Sequence, residues 1–171
     1  MKKLALLLFI SLGFCSISRA QDFTFDELVK LRKLTFTKFE SAVHDKGYGL
    51  NHLEDEKDGC TVFRNGGNVI SYCHYCNDGR GYRNHVAIKF ETANSEVYEK
   101  IKKGVEANMK YSRTQKKRYK TQQYVEHVYV SDDLVVHMYD IAFRDDPRPY
   151  YEIEIFSVFG DYGRYNSYYR D

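Results

Sequence analysis

The stretch CTVFRNGGNVISYC, residues 60–73, constrains the fold more than any other part of the sequence. Two short runs rich in strand-forming residues flank Gly66-Gly67, a pattern that is typical of a β-hairpin. If the two glycines form the loop, Cys60 faces Cys73 across the two strands. The chain is therefore expected to contain an antiparallel pair of strands with a defined register.

This register also predicts a disulfide. Phe63 and Ile70 face each other on one side of the hairpin, and the facing cysteines lie on the other side. Directly opposed residues have Cβ atoms about 4.5–5.5 Å apart, slightly wider than a disulfide prefers, so a small adjustment brings the sulfurs together. We therefore predict a bond between Cys60 and Cys73. A different turn gives the alternative pairing of Cys60 with Cys76, and either bond leaves one of these three thiols over.

Two helices and further strands surround the hairpin. Thr24 and Glu27 have the spacing of a capping box, and Gly47 is a good helix stop, so the first helix is predicted at about 25–46. The second helix follows the sequence TANSE. Its apolar stripe consists of Val97, Tyr98, Ile101, Val105 and Met109. Alternating apolar and polar residues predict strands at 84–91, 123–131, 134–143 and 150–158.

The order of elements is then α-β-β-β-α-β-β-β. Strand runs interrupted by single helices favour an α+β fold, in which an antiparallel sheet carries two helices packed on one face. Two separate small sheets, one per half of the chain, are the alternative. With only two prolines and no linker-like tract, residues 21–160 are predicted to form a single domain, and residues 161–171 a flexible tail.

The two halves also show a faint internal similarity. Apolar positions of the first helix recur in the second at a spacing of 62 residues, as in Phe39 and Ile101. This spacing predicts a divergent repeat, with units at 24–91 and 94–158.

Residues 1–20 have the features of a signal peptide. A basic start at Lys2 and Lys3 precedes an apolar run that is too short to span a membrane, since spanning needs roughly 20 residues. Small residues before Gln21 predict cleavage at that point, and therefore a periplasmic or secreted mature protein with no membrane span. A lipid anchor at Cys15 is the alternative, although Phe14 stands where such signals prefer a small residue.

Cleavage changes the charge of the protein. The whole chain has 26 Lys and Arg against 24 Asp and Glu, and the leader contains three of the basic residues and no acid. The mature chain therefore has 23 against 24 and a formal charge of −1. This balance argues against a globally basic nucleic-acid-binding protein. All 16 tyrosines lie in the mature chain, and they suit both half-buried sheet faces and contact surfaces.

Three features together resemble a known group of proteins. They are the Lys-Lys start, the segment FTFDELVKLRKLTFTKFESAVHDKGY and the strands ending in YYEIEIF. In these the chain is similar to small uncharacterised exported proteins common in Bacteroidota. The resemblance implies export and carries no catalytic residues or cofactor.

The segment KYSRTQKKRYK, residues 110–120, is the first candidate binding site. It contains six basic residues and two interleaved tyrosines, and it contains no acid. These residues are Lys110, Tyr111, Arg113, Lys116, Lys117, Arg118, Tyr119 and Lys120. Such a segment is able to grip a polyanion such as an acidic glycan. A solvated helix end and loop explains the same composition, because a basic cluster also suits a helix C-terminus.

The second candidate site is the cysteine- and histidine-rich stretch that begins at Cys73. His74, Cys76 and His85 follow it and give a small enzyme or a metal-binding protein as the alternative function. An oxidising compartment favours disulfides over metal thiolates, so we predict no metal and no cofactor.

Enzyme motifs are absent from the sequence, and we assign no catalytic residue. His127 and His137 lie on neighbouring predicted strands, nearly opposite each other and near Asp140, in an arrangement able to shuttle protons. The favoured interpretation is an exported, non-enzymatic binding domain. An immunity or inhibitor protein is its concrete form, and the partner is an unknown protein or an anionic glycan. The oligomeric state does not follow from the sequence.

Overall fold

The computed structural model of the chain describes residues 22–51, 59–75, 85–118 and 121–157. Three helices and eight strands lie within these ranges. The helices are α1 (Phe25–Arg32), α2 (Phe36–Asp45) and α3 (Ser95–Asn108). The strands are β1 (Gly49–Leu50), β2 (Cys60–Asn65), β3 (Asn68–Tyr75), β4 (His85–Thr92), β5 (Lys110–Arg118), β6 (Gln122–Val130), β7 (Leu134–Phe143) and β8 (Asp146–Ser157).

All eight strands belong to one antiparallel sheet with the order β1-β2-β3-β4-β8-β7-β6-β5. The predicted α+β class with an antiparallel sheet is confirmed, and the alternative of two separate small sheets is wrong. Each half of the chain contributes four consecutive strands, and the halves join where β4 pairs with β8. The divergent repeat stays a prediction.

The hairpin that the sequence specified most strongly is confirmed residue by residue. In β2 and β3 Phe63 pairs with Ile70, and Cys60 pairs with Cys73. The first loop glycine, Gly66, has φ +57°, a backbone conformation that residues other than glycine rarely adopt. Local turn chemistry therefore fixes the register of this part of the sheet.

The first helix is shorter than predicted, because the expected span 25–46 is divided into α1 and α2. The capping box at its start is confirmed, since the Thr24 hydroxyl accepts from the Glu27 backbone N–H at 3.3 Å. The division occurs at Thr35, which has extended backbone angles and begins α2 as its N-cap. Threonine is a weak helix former, which is consistent with the break, although the Thr35 side chain makes no cap hydrogen bond.

The predicted element order is also incomplete, since each half has four strands instead of three. The additional strand of the first half is β1, which contains only two residues. The additional strand of the second half is β5, which occupies the segment expected to be a helix end and loop. A run of charged residues gives no apolar alternation, so sequence periodicity did not detect this strand.

All three helices contribute to the main core, which lies on one face of the sheet. The helices supply Leu28, Phe39 and Ile101 to it, among others, and each of these side chains is fully buried. The predicted stripe of α3 is confirmed from Val97 to Val105, and Met109 packs against its edge. The sheet thus has one face under helices, and its strands direct every second residue to the other face.

Several predicted features lie outside the described residues. These are the leader 1–20, Cys76, Tyr119, Lys120 and the tail 161–171. Within the described ranges no helix is long and apolar enough to cross a membrane.

Candidate binding surfaces

The five described cations of the predicted basic site all lie on β5, the last strand in the sheet order. They are Lys110, Arg113, Lys116, Lys117 and Arg118. The expectation of a loop is wrong here, and its physical reason is pairing, because β5 follows β6 along nearly its whole length. Backbone pairing with a neighbouring strand overrides weak intrinsic strand propensity.

The basic residues of β5 point to both faces of the sheet. Lys116 and Arg118 pair with Val125 and Gln123 and share the helix side. Lys117 pairs with Tyr124 and points to the opposite face. The strand therefore presents a band of positive charge around the edge of the sheet instead of a single patch.

Lys117 contacts two side chains of the neighbouring strand β6. Its Nζ lies 3.9 Å from Glu126 Oε2 and 5.8 Å from the centre of the Tyr124 ring. This lysine therefore has a structural role beside any binding role. Lys110, Lys116 and Arg118 are exposed side chains.

Tyr111, the described aromatic member of the predicted site, is 52% exposed. Its hydroxyl donates to Thr114 Oγ1 at 2.8 Å, and that oxygen lies 2.9 Å from His127 Nδ1. His127 Nε2 is 3.5 Å from Asp140 Oδ2. Three of these residues, Tyr111, Thr114 and His127, line a cleft of about 440 Å³ between α3 and the strands β5 and β6, to which Glu106 also contributes.

His127 and His137 lie nearly opposite each other on β6 and β7, as predicted, but they do not form a pair on one face of the sheet. In the register of β6 and β7, His127 pairs with Met138 and Val128 pairs with His137. The offset of one residue places the two imidazoles on opposite faces of the sheet. His127 faces the cleft beside α3, whereas His137 belongs to the face opposite the helices.

We call the face opposite the helices the polar face. Its buried apolar cluster is formed by strand residues only, among them Val128, Val135 and Phe156. Around this cluster lie charged and tyrosine side chains from five strands. They are Lys89, Glu91, Lys117, Tyr124, Glu126, His137, Tyr139, Tyr150, Glu152 and Glu154.

A connected set of hydrogen bonds lies at the centre of the polar face. The Tyr139 hydroxyl is 3.2 Å from Glu126 Oε1 and 3.4 Å from Glu154 Oε2. His137 Nδ1 lies 2.9 Å from the same Glu126 oxygen and 3.0 Å from the Tyr139 hydroxyl. The two carboxyl groups are nearly buried, at 5% exposure for Glu126 and 9% for Glu154. Burial of such groups is acceptable because each has hydrogen-bond partners.

A second set of contacts extends the network toward β4. Lys89 Nζ lies 2.9 Å from Glu154 and 3.7 Å from Glu152. The Tyr150 hydroxyl donates to Glu91 on the neighbouring strand. Because β4 and β8 come from different halves of the chain, this network connects the halves across the middle of the sheet.

The environment of the polar face changes the acidity of its groups. Burial raises the pKa of Glu152 to about 7, and the nearby carboxylates of Glu154 and Glu91 act in the same direction against the opposing effect of Lys89. The hydrogen bond from His137 lowers the pKa of Glu126. Burial and adjacent carboxylates raise the pKa of Tyr139, which keeps its hydroxyl a donor.

Sequence reasoning missed this network. The signal for part of it was present, because Glu152 and Glu154 alternate with Ile153 and Ile155 in β8. Alternation predicts that the two glutamates share the face opposite the core. It does not predict which strands lie beside them, and Glu126 and Lys89 are distant in the sequence.

The bond between Cys60 and Cys73 is present as predicted and decides most of the question about the cysteine-rich candidate site. Both thiols are thereby removed from any thiolate ligand set or redox pair with Cys76. His74 lies at the exposed end of β3, and the side chain of His85, like Cys76, lies outside the described residues. Among the described residues, no group of three His, Cys, Asp or Glu side chains is arranged to hold a metal ion.

The chain matches no protein-family model, no curated protein and no solved structure. Its function therefore has to be inferred from the polar face and the basic strand themselves.

Proposed function

We propose that the protein is an exported, non-enzymatic binding domain that recognises another protein through the polar face of its sheet. The observation that carries this proposal is a set of partly exposed side chains, among them Lys89, Tyr139 and Tyr150, on a face to which the helices contribute no core residue. The buried carboxyl groups of Glu126 and Glu154 hold Tyr139 and Lys89 in place from below. An immunity or inhibitor protein directed against a toxin or hydrolase is the form that we favour.

The side chains on this face suit protein recognition for a physical reason. Tyrosine offers a large contact area and one polar tip, with few rotatable bonds to order on binding. The charged groups are already held by neighbours, as Lys89 is by Glu154 at 2.9 Å. A partner that meets fixed charges and rings loses less conformational entropy than one that meets mobile side chains.

An apolar contact point lies at the end of the same face. Phe143 is 40% exposed and packs edge-on against Tyr150 at 6.1 Å between ring centres. Exposed aromatic residues beside ordered polar groups are typical of the anchors that dominate interface energies. This arrangement supports a protein partner over a purely ionic one.

The basic strand β5 supports a second class of partner, an anionic surface such as an acidic glycan. Its exposed members Lys110, Lys116 and Arg118 have no acidic residue within the same strand. Binding of this kind weakens with rising salt, because mobile ions screen the charges.

Export is part of the proposal. The disulfide between Cys60 and Cys73 supports it, since such bonds persist in the periplasm and outside the cell and are rare in the cytosol. The leader-like residues 1–20 supply the expected route. Intact-mass measurement of the mature protein tests this component, and an N-terminus other than Gln21 contradicts the predicted cleavage.

Site-specific photo-crosslinking in the protein's own cells tests the binding face. A benzoylphenylalanine residue replaces Phe143 on the polar face or, as the matched control, Phe36 on the helix side, which is 38% exposed. We expect a discrete crosslinked partner from position 143 that is absent from position 36. Equal crosslinking from both positions, or crosslinking from position 36 alone, contradicts the proposed face.

A further inference from the structure

The strand β5 lies at one end of the sheet formed by the described strands. This strand ends the sheet order, and among the described residues no strand pairs with its outer side. It has nine residues, whereas the opposite edge strand, β1, has only two. In an antiparallel sheet alternate backbone N–H and C=O groups of an edge strand point outward, so β5 offers a row of donors and acceptors.

The regular part of this edge is long enough to bind a short strand. A register shift at Ser112 interrupts the first part of β5, and pairing then continues without a break from Arg113 to Arg118. Six residues correspond to a strand of ordinary length in globular proteins. The irregularity at Ser112 therefore limits the regular edge to these six residues.

Charge identifies the occupant of this edge. Lys116 and Arg118 are exposed on the helix side of the edge, Lys117 points to the polar face, and β5 contains no acid. A second copy of the strand paired antiparallel to it places like charges across from each other, which is unfavourable. An extended segment with acidic residues at every second position places them beside Lys116 and Arg118 instead.

We propose that β5 binds an acidic, extended segment of the partner protein by strand addition. The inference rests on the proposed binding function and specifies how part of the partner is recognised. Backbone hydrogen bonds along Arg113–Arg118 supply a sequence-independent contribution, and alternate acidic side chains supply the selectivity. Lys117 contributes less, because Glu126 already neutralises part of its charge at 3.9 Å.

Synthetic peptides test the backbone contribution. A seven-residue peptide that alternates Glu and Thr is compared with the same peptide N-methylated at every second residue, which removes hydrogen-bond donors and keeps the charge. Calorimetry at low salt with the full mature protein measures both affinities. We expect the unmodified peptide to bind at least tenfold more tightly, and its binding to shift the amide resonances of residues 113–118 most strongly. Equal binding of the two peptides overturns strand addition.

Protein variants test the charge contribution. Lys116→Gln with Arg118→Gln removes two cations from the edge, and Lys100→Gln with Lys103→Gln removes two exposed cations from α3 as a matched control. Two cross-strand charge pairs correspond to about a fivefold change in affinity for the acidic peptide. We expect this loss in the edge variant only, and an equal loss in the control overturns the assignment.

The result distinguishes this inference from the proposed function. If neither peptide binds while position 143 still crosslinks a partner, strand addition is wrong and the binding domain stands. If the wild-type protein forms a concentration-dependent dimer in sedimentation experiments and the edge variant, which lacks the like-charge repulsion, forms it more strongly, the occupant is a second copy and the acidic segment is wrong. If the unmodified peptide binds as expected while position 143 crosslinks nothing, binding at the β5 edge is supported and recognition through the polar face is wrong.

Discussion

The helix-covered face and the polar face of the sheet are built from the same strands, with alternate residues contributing to each. On β7, Val136 and Met138 are fully buried under the helices, while the alternate residues His137 and Tyr139 belong to the hydrogen-bonded network. The helix-covered face excludes water with apolar side chains, which pack favourably against many different apolar neighbours. The second depends on particular pairs of atoms from particular strands.

This difference assigns different tasks to the two faces. Apolar burial is nearly independent of direction and provides most of the stability of a domain. A hydrogen-bonded network such as that of Tyr139, Glu126 and Glu154 requires β6, β7 and β8 to keep one register, because a slip of one residue moves every side chain to the other face. We therefore expect the helix side to determine stability, and the polar face to determine register and recognition.

The largest effect that tests this division comes from two adjacent residues of β4. Phe90 is 1% exposed and packs edge-on against Phe23 under the helices, whereas Glu91 contacts Tyr150 on the polar face. Phe90→Ala is expected to lower the free energy of unfolding by about 3–5 kcal/mol, and Glu91→Gln by less than about 1 kcal/mol. Urea unfolding measures both, and similar losses in the two variants contradict the division.

A smaller loss is expected from the disulfide, which belongs to the polar face. Replacing Cys60 and Cys73 with alanine together removes a crosslink over 13 residues of sequence, worth about 2–3 kcal/mol in the chain-entropy model. The fold is expected to survive with a lower melting temperature, because the main core is on the other face. Reducing agent should lower the melting temperature of the wild type by a similar amount and leave the melting temperature of the double variant unchanged.

Peptide mapping without reduction provides the independent check on this pair. A crosslinked peptide containing Cys60 and Cys73 agrees with the register of β2 and β3. A peptide that joins Cys60 to Cys76 contradicts it.

The features that sequence reasoning predicted correctly depend on local chemistry. The hairpin of β2 and β3 follows from two glycines and flanking strand formers, so its register and its disulfide required no knowledge of distant strands. The start of α1 follows from Thr24 and Glu27, three residues apart. In each case the interacting groups lie within about a dozen residues, where turn and cap geometry leave few alternatives.

The features that sequence reasoning missed depend on strand order. Lys89 and Glu154 contact each other because β4 pairs with β8, a pairing between the halves of the chain that periodicity does not reveal. The strand β5 was missed because its stability comes from pairing with β6, and its charged composition is more typical of a loop. Tertiary context decides both features, so the candidate binding surfaces could be predicted only in part.

The last effect that we predict separates ionisation from packing on the polar face. Because the pKa of Glu152 is raised to about 7 in the folded protein, folding favours its protonated form. Its stabilising contribution is complete below the unfolded pKa of 4.5 and is lost as the pH rises through about 7. Glu152→Gln mimics the protonated form, so the free energy of unfolding of the variant should rise relative to wild type as the pH increases from about 5 to about 8. The expected gain is about 2 kcal/mol. One pKa unit corresponds to roughly 1.4 kcal/mol, and the total is reduced because the contact with Lys89 is also lost. Urea unfolding across this range measures the difference, and Glu99→Gln at an exposed position of α3 serves as the matched control. Groups that do not interact with Glu152 cancel in this comparison. A stability difference that does not change with pH for Glu152→Gln means that water reaches the polar face well enough to hold this carboxylate at its ordinary pKa.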